Sequence, residues 1–408
     1  MQLTVGEELA HGGAAVARVD GRVVFVEGAL PGETVEAEVT HRRKDFWRAE
    51  TREVLEPSPE RVTPPCPYYG PCGGCQLQHL DYSRQLAQKR QVLHHQLTRA
   101  HVEWPLEGIQ VLGMEDPWRY RLRGEFHVLR RAGQVSLGFY RKHTYQTLPI
   151  DDCLIHADVI VRSLPAFAAA AADAAAERIT AIQLTWAPGT GDLLWAPYPP
   201  GSADPGFGRR AAAAVPDLNL NDDSIGMDDA GRHFRLRPEA FVQVNARQRE
   251  VLYGRALDYA EPAGSVVDAY AGIGMLSARL AERAERVACL EESPYAVRLG
   301  ELNMQLNGCL NVRYRRGRVE DTLPSVELPL DVLVLDPPRA GCAGAAVDAI
   351  RAASPDRIVY VSCEPSTLAR DLERLCETNR YKLTGVTLVD MFPQTYHIES
   401  VVRLERVA

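Results

Sequence analysis

The chain has no basic segment leading into an apolar run. It opens MQLTVGEELAHGG, and a secretory signal is not expected. Charged or polar residues interrupt every apolar run well short of the roughly 20 residues a membrane-crossing helix needs, which argues against a helical membrane protein. Internal repeats and long low-complexity tracts are missing, which argues against solenoids and fibrous classes. An excess of positive charge is missing too. Lys and Arg number 46 against 54 Asp and Glu, a net charge of −8, so the chain as a whole is not built as a general polyanion binder. The nine cysteines are an odd number with no secretory context. A disulfide framework is not expected. In a reducing cytoplasm, the expected location, clustered thiols bind metal or do chemistry.

What is present is enough chain for two to four domains, 408 residues with 46% hydrophobic content. Residues 1–58 read as short alternating strands broken by Gly and Pro turns, as in "RVVFVEGALPGE", which suggests a small β-barrel. "PSPERVTPP" reads as a linker. Residues 59–235 mix helix and strand, an α+β central domain. It contains a helix in "YSRQLAQKRQVLHHQLTRA" with Ser83 as N-cap, a helix in "AFAAAAADAAAERI" and a hairpin in "ITAIQLTWAPGTGDLLWAPY". The stretch from "GSADPGF" to "NDDSIG" offers no clear element. From about residue 236 to 408, apolar strands alternate with amphipathic helices, which implies βαβ units and a doubly wound, Rossmann-like sheet. The expected class is therefore α/β multidomain. Arginine, lysine and aromatics interleave in "HRRKDFWR", "WRYRLRGEFHVLRR" and "YRKHTY". These are either solvated strand faces or phosphate-binding surfaces.

"VVDAYAGIGMLSARLA" places Asp268, Gly272 and Gly274 where a strand gives way to a helix, the edge at which such sheets bind ligands. Glu291 closes the next strand, where a carboxylate can hold a ribose diol. Asp336 precedes two prolines that end another strand at the same edge. The dinucleotide pattern G-x-G-x-x-G is left incomplete by Ser277, which tilts the reading from NAD toward S-adenosylmethionine. Cys363 ends "RIVYVSC" just before a helix, and the positive end of that helix is expected to lower its pKa. Cys289, Cys309, Cys342 and Cys376 read as packing residues. Glu399 opens the last strand, as a surface charge or as a general base beside Cys363. "CPYYGPCGGCQLQHL" spaces Cys66, Cys72 and Cys75 as C-x5-C-x2-C, three ligands of a site that wants four. Cys153 is the one other cysteine before the catalytic region.

Taken in order, these motifs resemble the uracil-5 RNA methyltransferase family in its iron–sulfur-containing branch. "GGAAVARVDGRVVFVEGALPGETV" is similar to the TRAM barrel. "CPYYGPCGGCQLQHL" resembles the cluster motif and "FVQVN" the start of the catalytic domain. "DAYAGIG", "DPPRAG", "VSCEPSTLARDL" and "FPQTYHIESVVRL" resemble its ordered motifs. The resemblance implies S-adenosylmethionine as methyl donor, Cys363 as the nucleophile attacking uracil C6, and Glu399 as the base removing the C5 proton. It places Gln243, Tyr270, Gly272, Glu291 and Asp336 at the cofactor, and Gln243 and Arg339 near uracil. It makes Cys66, Cys72, Cys75 and Cys153 ligands of a [4Fe–4S] cluster, although spacing alone leaves structural zinc open. The partner expected is RNA bound by a monomer, with the target base out of its stack. The expected RNA is 23S ribosomal RNA, with tRNA as the alternative; a silent RNA-binding protein of the same fold is a third reading. Two residues depart from the pattern. Glu364 stands where the family usually has Asn, and its carboxylate is expected to raise the Cys363 pKa. Gln394 stands where the family often has His.

Overall fold

Alternating small and β-branched residues build the first unit. In the computed structural model, which describes residues 1–327, 329–377 and 379–407, five strands form one sheet. They are β1 (Gln2–Thr4), β2 (Ala15–Val19), β3 (Arg22–Glu27), β4 (Thr34–Arg42) and β5 (Phe46–Glu56), in the order β1-β4-β5-β3-β2. The sheet curls until its ends meet, where Gly6 N donates to Val16 O at 2.7 Å. Ala15, Val24, Val26 and Val35 point inward, and Leu77 and Leu80 of the cysteine stretch fill the same core. The barrel is thus plugged by the segment that carries the thiols.

Two elements then join a distant layer. Helix α1 (Tyr82–Arg99) is capped by Asp81, not Ser83: Asp81 Oδ1 accepts from Ser83 N at 2.9 Å. Starting the helix one residue before Ser83 leaves an acceptor free to meet an orphan N–H. Strand β6 (Ile109–Leu112) follows. Both lie within residues 59–235, yet α1 packs on the same core as the catalytic sheet, and β6 pairs with that sheet's edge.

The central sheet runs β12-β11-β10-β7-β8-β9. Its strands are β7 (Arg123–Arg131), β8 (Gln134–Tyr140), β9 (Thr147–Pro149), β10 (Ala181–Ala187), β11 (Asp192–Tyr198) and β12 (Asn219–Asn221). The Ala-rich run does not form one helix. Helix α2 (Asp158–Ala171) stops, and the Asp173 side chain accepts from Ala175 N, closing a separate turn at Ala174–Ala176. The stretch with no clear reading contains helix α3 (Phe207–Ala214) and β12. Phe207 packs against Trp195 with the rings tilted and centroids 4.9 Å apart, which anchors a segment whose small residues gave no periodicity.

After the hairpin β13 (Ile225–Asp229) and β14 (Arg232–Leu236) comes the expected alternation. It runs α4 (Ala246–Ala260), β15 (Ala263–Ala269), α5 (Met275–Leu280), β16 (Ala284–Glu291), α6 (Pro294–Leu306), β17 (Val312–Arg316) and α7 (Val319–Thr322). It continues β18 (Val332–Leu335), α8 (Gly344–Ala353), β19 (Arg357–Ser362), α9 (Pro365–Cys376), β20 (Tyr381–Val389) and β21 (Glu399–Arg406). The sheet order is β17-β16-β15-β18-β19-β21-β20-β6, and β21 alone runs antiparallel to its neighbours. Val332 and Val334 face one core, Leu333 and Leu335 the other, so the strand is buried on both faces. Strand order reverses between β15 and β18, and this places a crevice beyond their carboxyl ends.

Candidate active site

That crevice is lined by Gln243, Tyr270, Gly272 and Asp336, together with Asp268 and Tyr253. The backbone turns sharply there. Tyr270 has φ +66° and Gly272 φ +55°. A non-glycine residue in the left-handed region is uncommon and costs energy that the surroundings must hold. No heavy atom lies within 4 Å of where a Cβ on Gly272 would stand, so its backbone is open to a ligand. Glu291 sits behind this turn. Its carboxylate accepts from Gly272 N at 2.9 Å and from Ser293 N at 2.8 Å. Ser277, which interrupts the glycine pattern, donates its hydroxyl to Asp268 Oδ2 at 2.5 Å. Burial pushes Asp268 up to about 7, and burial together with Asp268 pushes Asp336 up to about 7. Both acids line one small cleft.

The reacting pair comes from two adjacent strands. Strands β19 and β21 pair from Arg357↔Glu405 to Ser362↔Ser400. One further step of that antiparallel register sets Cys363 opposite Glu399. Strand β20 holds Glu399 from the other side, where it pairs with Val389. Glu399 is 1% exposed, and its Oε1 has no hydrogen-bond partner among the described residues. Burial, then Asp336, raises its pKa well above the ordinary value, against the pull of Arg339. Cys363 is half-buried.

The thiol pKa contradicts the lowering expected from the helix end, and it is raised as expected from a neighbouring carboxylate but by other groups than Glu364. It is pushed up to about 12, by burial first and then by Glu399 and Asp336, with Arg339 opposing. The helix end does not offset this, and Glu364 is itself the N-cap of α9. Glu364 Oε1 accepts from Ser366 N at 3.3 Å and from Ser366 Oγ at 2.8 Å. Nor does Glu364 do the raising. Its carboxylate faces His11 of the barrel, 3.5 Å from Nδ1. Arg339 is exposed, with Nη2 3.5 Å from His397 Nδ1.

The four remaining sequence-assigned residues, Cys66, Cys72, Cys75 and Cys153, line one cavity of about 380 Å³ that also reaches His156, Tyr396 and His397. All four are free thiols. Among the described residues no group of three or more His, Cys, Asp or Glu stands in a metal-holding arrangement. The thiol loop is bonded on two sides. Gly73 N donates to Tyr140 O at 3.2 Å, while Gln76 N and Leu77 N both donate to Gln394 O, at 3.1 and 3.0 Å. Gln394, the second departure from the family pattern, therefore ties the cysteine segment to the loop that leads into Glu399.

Comparison with known proteins bears on this geometry. Residues 215–407 match the family described as tRNA (Uracil-5-)-methyltransferase, and residues 2–51 match the TRAM domain. An uncharacterized RNA methyltransferase of Halalkalibacterium halodurans is 35% identical over 98% of this chain and 95% of its own length. One from Listeria innocua is 35% identical over 98% and 96%. The chain belongs to the uracil-5 RNA methyltransferase family. The tRNA (uracil-54, C5)-methyltransferase of Pyrococcus abyssi, solved with S-adenosyl-L-homocysteine, shares the fold from end to end. The TM-score is 0.73 at 21% identity, covering 99% of this chain and 100% of that one.

In this methyltransferase, sequence reasoning missed the residues that hold the site in place. Lys89, buried within α1, lies 2.6 Å from Asp390 Oδ1 and donates to Phe392 O at 3.0 Å. Tyr82 donates to Asp390 Oδ2 at 2.8 Å. Gln85 exchanges hydrogen bonds with Gln394, at 2.9 and 3.1 Å. Tyr82, Gln85 and Lys89 share one helix stripe with Leu93 and Leu97. A stripe that is polar in its first half and apolar in its second was the available signal. Buried Arg249 likewise donates to Gln243 O at 3.0 Å while pairing with Asp229, which also holds Arg279.

Proposed function

We propose that this chain methylates C5 of a uridine in RNA, with Cys363 as nucleophile and Glu399 as base. The observation that supports the reading is the register of β19 against β21, whose continuation puts Cys363 and Glu399 at opposed positions, with Arg339 and Asp336 close enough to shift both. Uracil C5 is a poor nucleophile. The Cys363 thiol gives up its proton to solvent, and the thiolate sulfur bonds to C6 and drives the C5–C6 electron pair into an enolate. C5 of that enolate takes the methyl group. S-adenosylmethionine supplies, when bound, an electrophilic methyl on a sulfonium that leaves as a neutral thioether. Glu399 removes the C5 proton, the C5–C6 double bond re-forms, and the Cys363 sulfur is expelled. Arg339 stabilises negative charge on the thiolate and the enolate. The cofactor fits the residues present: an open Gly272 backbone, Tyr270, Gln243 and Asp336 on one cleft, with Glu291 behind.

The substrate we assign is 23S ribosomal RNA, in keeping with the TRAM barrel beside the cysteine segment. The P. abyssi protein's action on tRNA favours a second reading, tRNA uridine. Cys66, Cys72, Cys75 and Cys153 are the residues that would hold a [4Fe–4S] cluster, which would supply a structural tie between barrel linker and central domain. Their common cavity supports this. A brown preparation absorbing near ~400 nm is the expected result, and a colourless zinc-containing one would overturn it. The enzymatic reading is tested with 5-fluorouracil RNA. The wild type should form a covalent complex and Cys363→Ala should form none; an undiminished complex in the variant ends the mechanism. Mapping 5-methyluridine in ribosomal and transfer RNA from cells with and without the gene decides the substrate.

A further inference from the structure

A cleft of about 1090 Å³ separates the barrel from the central sheet and ends at Tyr396, next to the loop that carries Glu399. The barrel wall includes Gly12, Gly13 and Arg48; the opposite wall is the turn joining β8 to β9. That turn carries an unusual side chain. Tyr145 is 90% exposed, in a chain where most large aromatics are packed. It is not on a floppy tip. Arg141 N donates to Gln146 O at 2.8 Å, Thr144 N donates to Arg141 O at 3.0 Å, and Gln146 N donates to Thr144 Oγ1 at 3.1 Å. Tyr145 meets Tyr140 edge to face, centroids 5.7 Å apart, and Tyr140 lies flat on His127 at 3.7 Å. A rigid turn thus presents aromatic rings to a solvent-filled cleft.

The charges around these rings favour an anion. Glu27, on the cleft wall, is paired with Lys142 and has His143 Nε2 at 3.1 Å, and Glu50 is paired with Arg52 at 3.2 Å. Arg48 and Arg141 are exposed and make no ion pair among the described residues. Exposed aromatic faces beside unpaired guanidinium groups are what unpaired nucleic acid binds: bases stack and phosphates pair.

We propose that Tyr145, backed by Tyr140, stacks an unpaired RNA base that flanks the target uridine, while Arg48 and Arg141 hold the adjoining phosphates. The inference rests on the RNA-methyltransferase reading and specifies how that RNA is held. The turn is also bonded to the cysteine loop, because Lys142 N donates to Pro71 O at 2.9 Å and Gly73 N donates to Tyr140 O. The thiol segment thereby joins the platform to Gln394 of the active-site loop. The spacing between flanking base and target base is set by this one segment.

The test uses the full chain and a short unpaired RNA with one uridine, flanked on each side by 2-aminopurine. Stacking on tyrosine should quench the fluorescence of one flanking base. Tyr145→Leu should abolish that quench and weaken binding about tenfold or more, while Tyr145→Trp preserves both. Arg141→Gln should weaken binding and lower the salt slope by about one. Tyr145 is exposed, so unchanged melting of the leucine variant confirms that folding is intact. A leucine variant that binds and quenches like the wild type overturns the proposal, as does a wild type that binds no unpaired RNA. Binding and quench are read without turnover. A wild type that quenches but never transfers methyl leaves the platform standing and removes the methylation reading instead.

Discussion

Cys363 and Glu399 stand opposite each other, one step beyond the last paired residues of β19 and β21, and Glu399 raises the cost of charging the thiol. Glu399 and Asp336 both oppose charge on the Cys363 thiol, while Arg339 favours charge on Cys363 and on Glu399. A thiol pushed up to about 12 is almost entirely protonated near neutral pH. Alkylation of the Cys363 peptide, followed by mass spectrometry, should therefore be slow at pH 8 and still rising above pH 10. A ligand bringing positive charge into the cleft lowers the pKa of nearby acids. A cationic cofactor analogue should shift the alkylation midpoint down, and S-adenosylhomocysteine, which lacks the sulfonium charge, should shift it much less. Equal shifts with both ligands would contradict this assignment.

Glu364 acts at the helix end and at the barrel, not on the thiol. Glu364→Asn keeps a strong N-cap and should leave stability nearly unchanged, whereas Glu364→Ala should cost about 1 kcal/mol. Neither should move the Cys363 alkylation midpoint by much. Urea midpoints and the alkylation profile check the two halves separately.

Lys89 and Asp390 are both buried, and removing one leaves the other's charge without its partner. Lys89→Met should destabilise the chain by about 3 kcal/mol, read as a lower urea midpoint. The double variant Lys89→Met/Asp390→Asn should lose less than the single one. A single variant as stable as the wild type would show that this pair does not anchor the active-site loop.

The sheet was legible because its strands are apolar on both faces and its helices strongly periodic, from "SVVDAY" to "RIVYVSC". The placement of Glu291 and Asp336 at one sheet edge was legible because the first closes β16 and the second directly follows β18. Less was readable where a long-range partner decides the outcome. Ser83 looked like a cap, but Asp81 had the free acceptor. The Ala-rich run looked like one helix, but Asp173 closed a turn inside it. The Cys363 pKa was misjudged because a helix end is visible in sequence, while the carboxylate of Glu399, 36 residues away, and the burial around the thiol are not. Likewise the stripe of α1, polar at Gln85 and Lys89 and apolar at Leu93 and Leu97, marked a buried face without showing that its polar half would clamp the loop before β21.

The most direct test is Glu399→Gln. Glu399 acts only in the proton removal that follows methyl transfer, so the variant should still join Cys363 to uracil C6 and methylate C5. It should then stall as a protein–RNA adduct that survives denaturing electrophoresis and carries the transferred methyl group. Adding Cys363→Ala should erase that adduct. Normal turnover by Glu399→Gln, or an adduct that persists without Cys363, would contradict the claim that these two residues work on the same pyrimidine ring.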